Sequence, residues 1–117
     1  MKIAFFDAKA YDMESFSDIN RNYGYKIKYF ETKLNTDSAP LTVGYDVVCV
    51  FVNDYINEEV IDILVSNGVK LIALRCAGFN NVDFKACEGR IKVVRVPEYS
   101  PYAVAEHTMG LMMTLNR

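Results

Sequence analysis

Short apolar runs alternate with helical or polar segments along the whole chain. The runs at residues 2–6, 46–52 and 69–75 suit buried strands, and residues 26–30 and 91–96 read as the second and fifth strands. Continuous apolar runs of this kind are typical of parallel strands that helices cover on both faces. The pattern therefore predicts an α/β fold with an open, parallel, five-stranded flavodoxin-like sheet and helices on both faces.

Apolar residues recur at helical spacing in the segments between these strands. The pattern predicts helices over residues 11–23, 57–67 and 83–88. Asn57 is the expected N-cap of the second helix. Asn80 and Asn81 are the expected caps of the third, with Asp83 in its first turn. Each helix is followed by a glycine suited to a left-handed helix end, namely Gly24, Gly68 and Gly89.

Two segments differ from this alternation. Residues 31–44 are polar and aperiodic, which predicts a loop with at most one turn of helix. A long last helix is predicted over residues 101–117, with Ser100 as N-cap and Pro101 in its first position. Its apolar residues surround most of the helix: Ala103, Val104, Ala105, Met109, Leu111, Met112, Met113 and Leu115. Because one small sheet covers only one side, we expect this helix to need a partner, either a second domain or another subunit.

Composition excludes several classes of protein. A chain of 117 residues with 51% hydrophobic content suits one domain with one core. The net charge of −2, with both signs interspersed, gives no basic surface for nucleic acid or for a membrane. No apolar run approaches the ~20 residues of a membrane span, and residues 1–7 look like a strand rather than a signal peptide. Three cysteines without CxxC spacing favour a reduced, cytoplasmic protein.

Most motifs of complete active sites are missing from the chain. The six glycines contain no GxG pair, so the sequence has neither a dinucleotide fingerprint nor a P-loop. It has no HExxH or GxSxG motif. Cys76 and Cys87 lack nearby histidine ligands, so no metal site is expected. The residues alone therefore do not assemble a complete active site.

Three blocks in one order, RCAGFNNVD, VVRVPEYSP and AVAEHTMGLMMTLNR, resemble the D-isomer-specific 2-hydroxyacid dehydrogenases. The closest resemblance is to bacterial NAD-dependent D-lactate dehydrogenases, and MKIAFFDAKAYD and VCVFVND fit the same family less specifically. The resemblance implies that residues 1–100 are the N-terminal part of a substrate-binding (catalytic) domain and residues 101–117 an interdomain helix. The family's dinucleotide-binding domain would follow, so we expect the front part of a larger enzyme, inactive alone.

The resemblance also implies roles for individual residues. The backbone amides of Ala77 and Gly78 would hold the substrate carboxylate, and Tyr99 would line the substrate pocket. Val104 would lie near the nicotinamide end of NAD. The ordinary alternatives are a tight turn at Ala77 and Gly78, a Tyr99 that packs on its loop, and core packing of Val104.

Three further polar residues are expected to be structural rather than catalytic. The family's catalytic Arg, Glu and His belong to a region after the cofactor fingerprint, which this chain lacks. We therefore interpret Glu106 and His107 as polar contacts at a helix end, and Arg75 as a member of a structural ion pair.

The resulting hypothesis is a fragment of an enzyme that transfers hydride between NADH and a small 2-oxo acid, typically pyruvate to D-lactate. Its expected partners are that acid, the missing dinucleotide-binding domain and further copies of the same chain; NAD is not expected to bind the fragment alone.

Two alternatives remain at this point. Asp7 and Asp54 follow predicted strands, as the acids of a receiver-type signalling domain do, but no second acid adjoins Asp7. Cys76 stands where that class needs Ser or Thr, and Val96 where it needs Lys. A non-catalytic oligomerisation module is suggested only by the apolar last helix.

Overall fold

The computed structural model describes residues 1–51, 56–75, 82–95 and 101–113. Within these ranges the strands are β1 (Lys2–Phe5), β2 (Lys26–Tyr29), β3 (Val47–Val50), β4 (Leu71–Leu74) and β5 (Lys92–Arg95). They form one parallel sheet in the order β2-β1-β3-β4-β5. This order is that of flavodoxin-like domains, so the predicted fold class is confirmed.

Helices cover both faces of the sheet. In the described ranges they are α1 (Ala10–Asn20), α2 (Glu58–Ser66), α3 (Phe84–Cys87) and α4 (Pro101–Met113), with a short 3₁₀ helix at Ala39–Thr42. The cores show that α1 and α4 share one face, while α2, α3 and the 3₁₀ helix share the other. The 3₁₀ helix is the single helical turn expected between residues 31 and 44.

Alternate residues of each central strand enter different cores. In β1, Ile3 and Phe5 pack toward α1 and α4, whereas Ala4 packs toward α2. In β3, Val47 and Cys49 face the core on the side of α1 and α4, whereas Val48 and Val50 face the core on the side of α2 and α3. Because both faces of these strands are covered, their sequences contain no polar alternation. This explains why the apolar runs identified the strands correctly.

Side-chain caps define two of the helix starts. Asn57 accepts a hydrogen bond from the Val60 N–H at 3.0 Å, as expected for the cap of α2. Asp83 is itself the N-cap of α3 and accepts from the Ala86 N–H at 3.2 Å. The sequence-based placement of Asp83 inside the first turn was therefore wrong, and Asn80 and Asn81 lie outside the described residues.

The last helix packs on the domain through one side. Its buried residues are Val104, Ala105, Thr108, Met109 and Met112. All of these except Thr108 belong to the core that also contains Phe16 of α1. On the outer side Tyr102 and Met113 are exposed, and the Tyr102 hydroxyl donates to Asp18 of α1 at 2.6 Å. This hydrogen bond raises the pKa of the Tyr102 phenol. The domain therefore covers one side of α4, and an external partner for the rest stays a prediction.

Within the described ranges, no helix is both long and apolar enough to cross a membrane.

Candidate functional site

The carboxyl edge of the sheet is where a parallel domain of this order binds ligands. The chain connections diverge between β1 and β3. In open parallel sheets this is the place where a ligand crevice generally forms beyond the strand ends. Four charged residues are described near this point: Asp7 and Lys9 after β1, Asp12 in α1 and Arg75 after β4. They form the polar cluster that we call the edge cluster.

Arg75 is the centre of the edge cluster. Its side chain is almost fully buried, and its Nη1 donates to Asp12 Oδ2 at 3.1 Å. Its Nη2 donates to the main-chain oxygen of Phe6, the residue that follows β1. The Arg75 main-chain N–H donates to the Val50 oxygen at 2.9 Å. One residue at the end of β4 is therefore bonded to β3, to the end of β1 and to α1.

Two aromatic rings pack near the same guanidinium. The Arg75 Cζ lies 4.1 Å from the Phe5 ring centroid and 5.2 Å from that of Phe51. Weakly hydrated guanidinium groups stack well on aromatic rings, which lowers the cost of burying this charge. The predicted structural ion pair of Arg75 is confirmed, and its partner is Asp12.

Asp12 connects Arg75 to the start of α1. Its Oδ2 also accepts a hydrogen bond from the main-chain N–H of Lys9, the N-cap residue, at 3.1 Å. The same carboxylate oxygen therefore satisfies a free N–H at the helix start and neutralises the buried guanidinium. Removal of Asp12 would leave both groups without this acceptor.

Asp7 is a buried member of the edge cluster. It is 3% exposed and has a positive φ of 53°, which is unusual for a residue with a side chain. Its Oδ1 binds the Lys9 ammonium at 2.9 Å, and this contact raises the pKa of Lys9. Within the described part of the chain, Asp7 Oδ2 and Arg75 Nε are buried without a hydrogen-bond partner.

Comparison with known proteins identifies the domain. The family described as D-isomer specific 2-hydroxyacid dehydrogenase, catalytic domain, matches residues 3–115. The chain belongs to this family. The receiver-type alternative is therefore wrong, and its candidate acid Asp7 is already paired with Lys9.

Curated relatives of this dehydrogenase domain match over its whole length. The 2-hydroxyacid dehydrogenase homolog 1 of Schizosaccharomyces pombe is 56% identical, and the D-lactate dehydrogenase of Escherichia coli is 48% identical. Each alignment covers 100% of this chain and 36% of the relative. The chain thus spans about a third of the length of the curated relatives that it matches.

Solved structures of the family have the same fold. The apo-structure of D-lactate dehydrogenase from Escherichia coli matches with a TM-score of 0.82 at 47% identity, over 100% of this chain and 38% of that chain. The NAD-complexed 2-hydroxyacid dehydrogenase from Lactobacillus delbrueckii ssp. bulgaricus matches with a TM-score of 0.76 at 30% identity, over 100% of this chain and 36% of that one.

The expected substrate-binding residues of the dehydrogenase domain, Ala77, Gly78 and Tyr99, lie outside the described residues. Arg75 and Val82, the described residues that flank 76–81, are both bonded to other elements of the domain. Arg75 is held by the edge cluster. Val82 forms a parallel bridge with Ile56, and the Asp83 N–H donates to the Ile56 oxygen at 2.9 Å.

Val104, the expected nicotinamide contact, lies on the sheet side of α4. It is 5% exposed and belongs to the same core as Phe5, Cys49 and Ala73. Its packing role is therefore clear, whereas a contact with cofactor stays a prediction.

Glu106 and His107 are exposed in the middle of α4. The sequence analysis placed these two residues at a helix end. That position was wrong, because the helix starts at Pro101 and continues past them to Met113.

Sequence reasoning missed the role of Asp12. A signal existed, because Asp12 and Phe16 are four residues apart and therefore share one face of α1, the face that enters the core. A carboxylate on a buried helix face requires a cation or several donors.

The described residues contain no group of three His, Cys, Asp or Glu side chains that could bind a metal ion.

Proposed function

We propose that the whole protein to which this chain belongs is an NAD-dependent D-2-hydroxyacid dehydrogenase that reduces pyruvate to D-lactate with NADH. The observation that carries the proposal is the 48% identity to the D-lactate dehydrogenase of Escherichia coli over all of this chain. The TM-score of 0.82 to the corresponding structure supports it. A cytoplasmic location is part of the proposal, because Cys49 and Cys87 are free thiols.

In this proposal Ala77 and Gly78 bind the substrate carboxylate through their backbone N–H groups, and Tyr99 donates a hydrogen bond from its hydroxyl. In the sequence, Ala77 and Gly78 follow the carboxyl end of β4, and Tyr99 follows the carboxyl end of β5. Backbone N–H groups beside a glycine approach an anion closely because no Cβ intervenes. The carboxylate would thereby be fixed while its carbonyl carbon stays open to the cofactor.

The hydride would come from NADH, which supplies this chemistry when bound. Two related enzymes, from Lactobacillus delbrueckii and Lactobacillus jensenii, have been solved with NAD. This chain contains no GxGxxG segment for the pyrophosphate, so we propose that a separate dinucleotide-binding domain holds it. Val104 is nearly buried, so its contribution would be limited to an apolar contact at the nicotinamide end.

The test of the proposed function is pyruvate-dependent oxidation of NADH by the purified whole protein, with the stereochemistry of the product determined. We expect turnover with D-lactate as product. A series of larger 2-oxo acids assayed in parallel would identify the preferred substrate. Formation of L-lactate, or the absence of turnover with every acid in the series, would contradict the proposal.

A related prediction concerns the 117 residues expressed alone. We expect no pyruvate-dependent NADH oxidation above the rate without protein, because the chain lacks a dinucleotide fingerprint. The matched control is the whole protein at the same molar concentration. Clear turnover by the isolated chain would reveal a cofactor site that these residues form by themselves.

A further inference from the structure

Arg75 occupies a position from which it can control the chain that leaves β4. It lies two residues before Ala77 and three before Gly78 in the sequence. Its main chain extends the pairing of β4 with β3, since its N–H donates to the Val50 oxygen at 2.9 Å. Its side chain extends from β4 past β3 to Phe6 at the end of β1 and to Asp12 of α1. The exit of the chain from β4 is therefore held from two directions.

The contacts of Arg75 require a guanidinium. Its two terminal nitrogens donate to two acceptors on different elements, the Asp12 carboxylate and the Phe6 oxygen, while its plane lies near the Phe5 ring. A lysine has one nitrogen and no planar face, so it cannot reproduce this set. Lysine could therefore supply the positive charge, but only arginine can make this set of contacts.

The guanidinium is directed inward rather than toward a ligand. Arg75 is 3% exposed, and its charge is neutralised by Asp12 at 3.1 Å. An arginine that bound the substrate carboxylate directly would need terminal nitrogens free at the crevice. Here the contacts of both terminal nitrogens are within the domain.

We propose that Arg75 and Asp12 act together as positioning residues, which hold the start of the carboxylate-binding segment at the distance that the substrate requires. This inference rests on the proposed function of Ala77 and Gly78. The other end of the segment is fixed independently at Val82, through its bridge to Ile56. Loss of the Arg75 side-chain contacts would leave the start of the segment held only by the main-chain bond to Val50, while the sheet stays paired. We expect the amide donors to shift as a result.

The expected consequence is a selective loss of substrate binding. Misplacement of a binding group by about 1 Å can cost a factor on the order of 100. We expect Arg75→Met in the whole protein to raise the KM for pyruvate about tenfold or more, with the KM for NADH changed less than about twofold. Arg75→Lys should give nearly the same increase, because it keeps the charge but not the two-armed contact.

The experiment compares Arg75→Met, Arg75→Lys, Asp12→Asn and the double variant Asp12→Asn/Arg75→Met in the whole protein. Arg90→Met is the matched control, since Arg90 forms an exposed ion pair with Asp62 at 2.6 Å on the far side of the sheet. Thermal unfolding is measured beside kcat and both KM values. If the two residues act as a unit, the double variant should be no worse than Arg75→Met, because one contact cannot be lost twice.

The outcomes separate this inference from the proposed function. Wild-type protein without activity on any 2-oxo acid would refute both. Active wild type with an unchanged pyruvate KM in the folded Arg75 and Asp12 variants would overturn the positioning role alone. An equal increase of the KM for NADH would do the same, because it would indicate general damage. If Arg75→Met does not fold, Asp12→Asn and Arg75→Lys decide the question by the same criterion.

Discussion

Replacement of Gly78 by Val in the whole protein is expected to raise the KM for pyruvate sharply. If the substrate carboxylate binds at Gly78 as proposed, a Cβ at this position would crowd it and keep a backbone N–H from reaching it. The loss of one hydrogen bond to a charged group costs about 1.5–3 kcal/mol, which corresponds to roughly ten- to hundredfold in binding. Tyr99→Phe should give a smaller increase, since it removes one hydroxyl and leaves the segment in place. The measurement is steady-state kinetics with pyruvate varied at saturating NADH.

Gly110→Ala provides a control for the loss of a glycine as such. Gly110 lies inside α4, and a Cβ built there meets no atom within 4 Å. We expect unchanged kinetics and a small gain in stability, because alanine is a better helix former by about 1 kcal/mol. If Gly78→Val and Tyr99→Phe also leave the KM for pyruvate unchanged, neither residue belongs to the substrate pocket.

The fold was predictable because its signals are local. The three central strands contain nearly continuous apolar runs, whereas the edge strands β2 and β5 also contain exposed Lys or Arg residues. Glycines with positive φ follow three of the helices, at Gly24, Gly68 and Gly89. The regular strands are shorter than predicted at their ends. The third run was expected over residues 46–52, whereas β3 spans Val47–Val50. Phe6, the residue after β1, is still fully buried, so hydrophobicity overestimates strand length.

The edge cluster was less predictable because its partners are distant in the sequence. Arg75 and Asp12 are separated by 63 positions, and only the packing of α1 against the sheet brings them together. Sequence reasoning assigned Arg75 to an ion pair but named no partner for it. The positive φ of Asp7 carries no local signal either, because glycine rather than aspartate usually marks such a position.

The same limitation affected the last helix. Its apolar residues indicated contacts on two sides, but the pattern alone does not show which side the domain itself covers. In the structure Met109 is fully buried in the core that α4 shares with α1, while Met113, one turn later, is 46% exposed. A search for an interface on α4 should therefore use Met113 and not Met109.

These two methionines provide a matched pair for the second large prediction. Met109→Glu in the 117-residue chain should lower the free energy of unfolding by more than about 3 kcal/mol, because it removes a core side chain and buries a carboxylate without a partner. Met113→Glu should change it by less than about 0.5 kcal/mol. Urea unfolding followed by circular dichroism measures both values. Equal stability of the two variants would show that α4 does not depend on its contacts with the sheet.

Met113→Glu also tests whether α4 has a partner outside the domain. If the exposed side of the helix associates with another copy of the chain, a charge at this position should weaken the association while the domain stays folded. Sedimentation of the wild-type chain and the variant at several concentrations measures this. A wild-type chain that is monomeric throughout would show that a second copy of the chain does not cover α4, and a second domain would then be the only one of the two expected partners left.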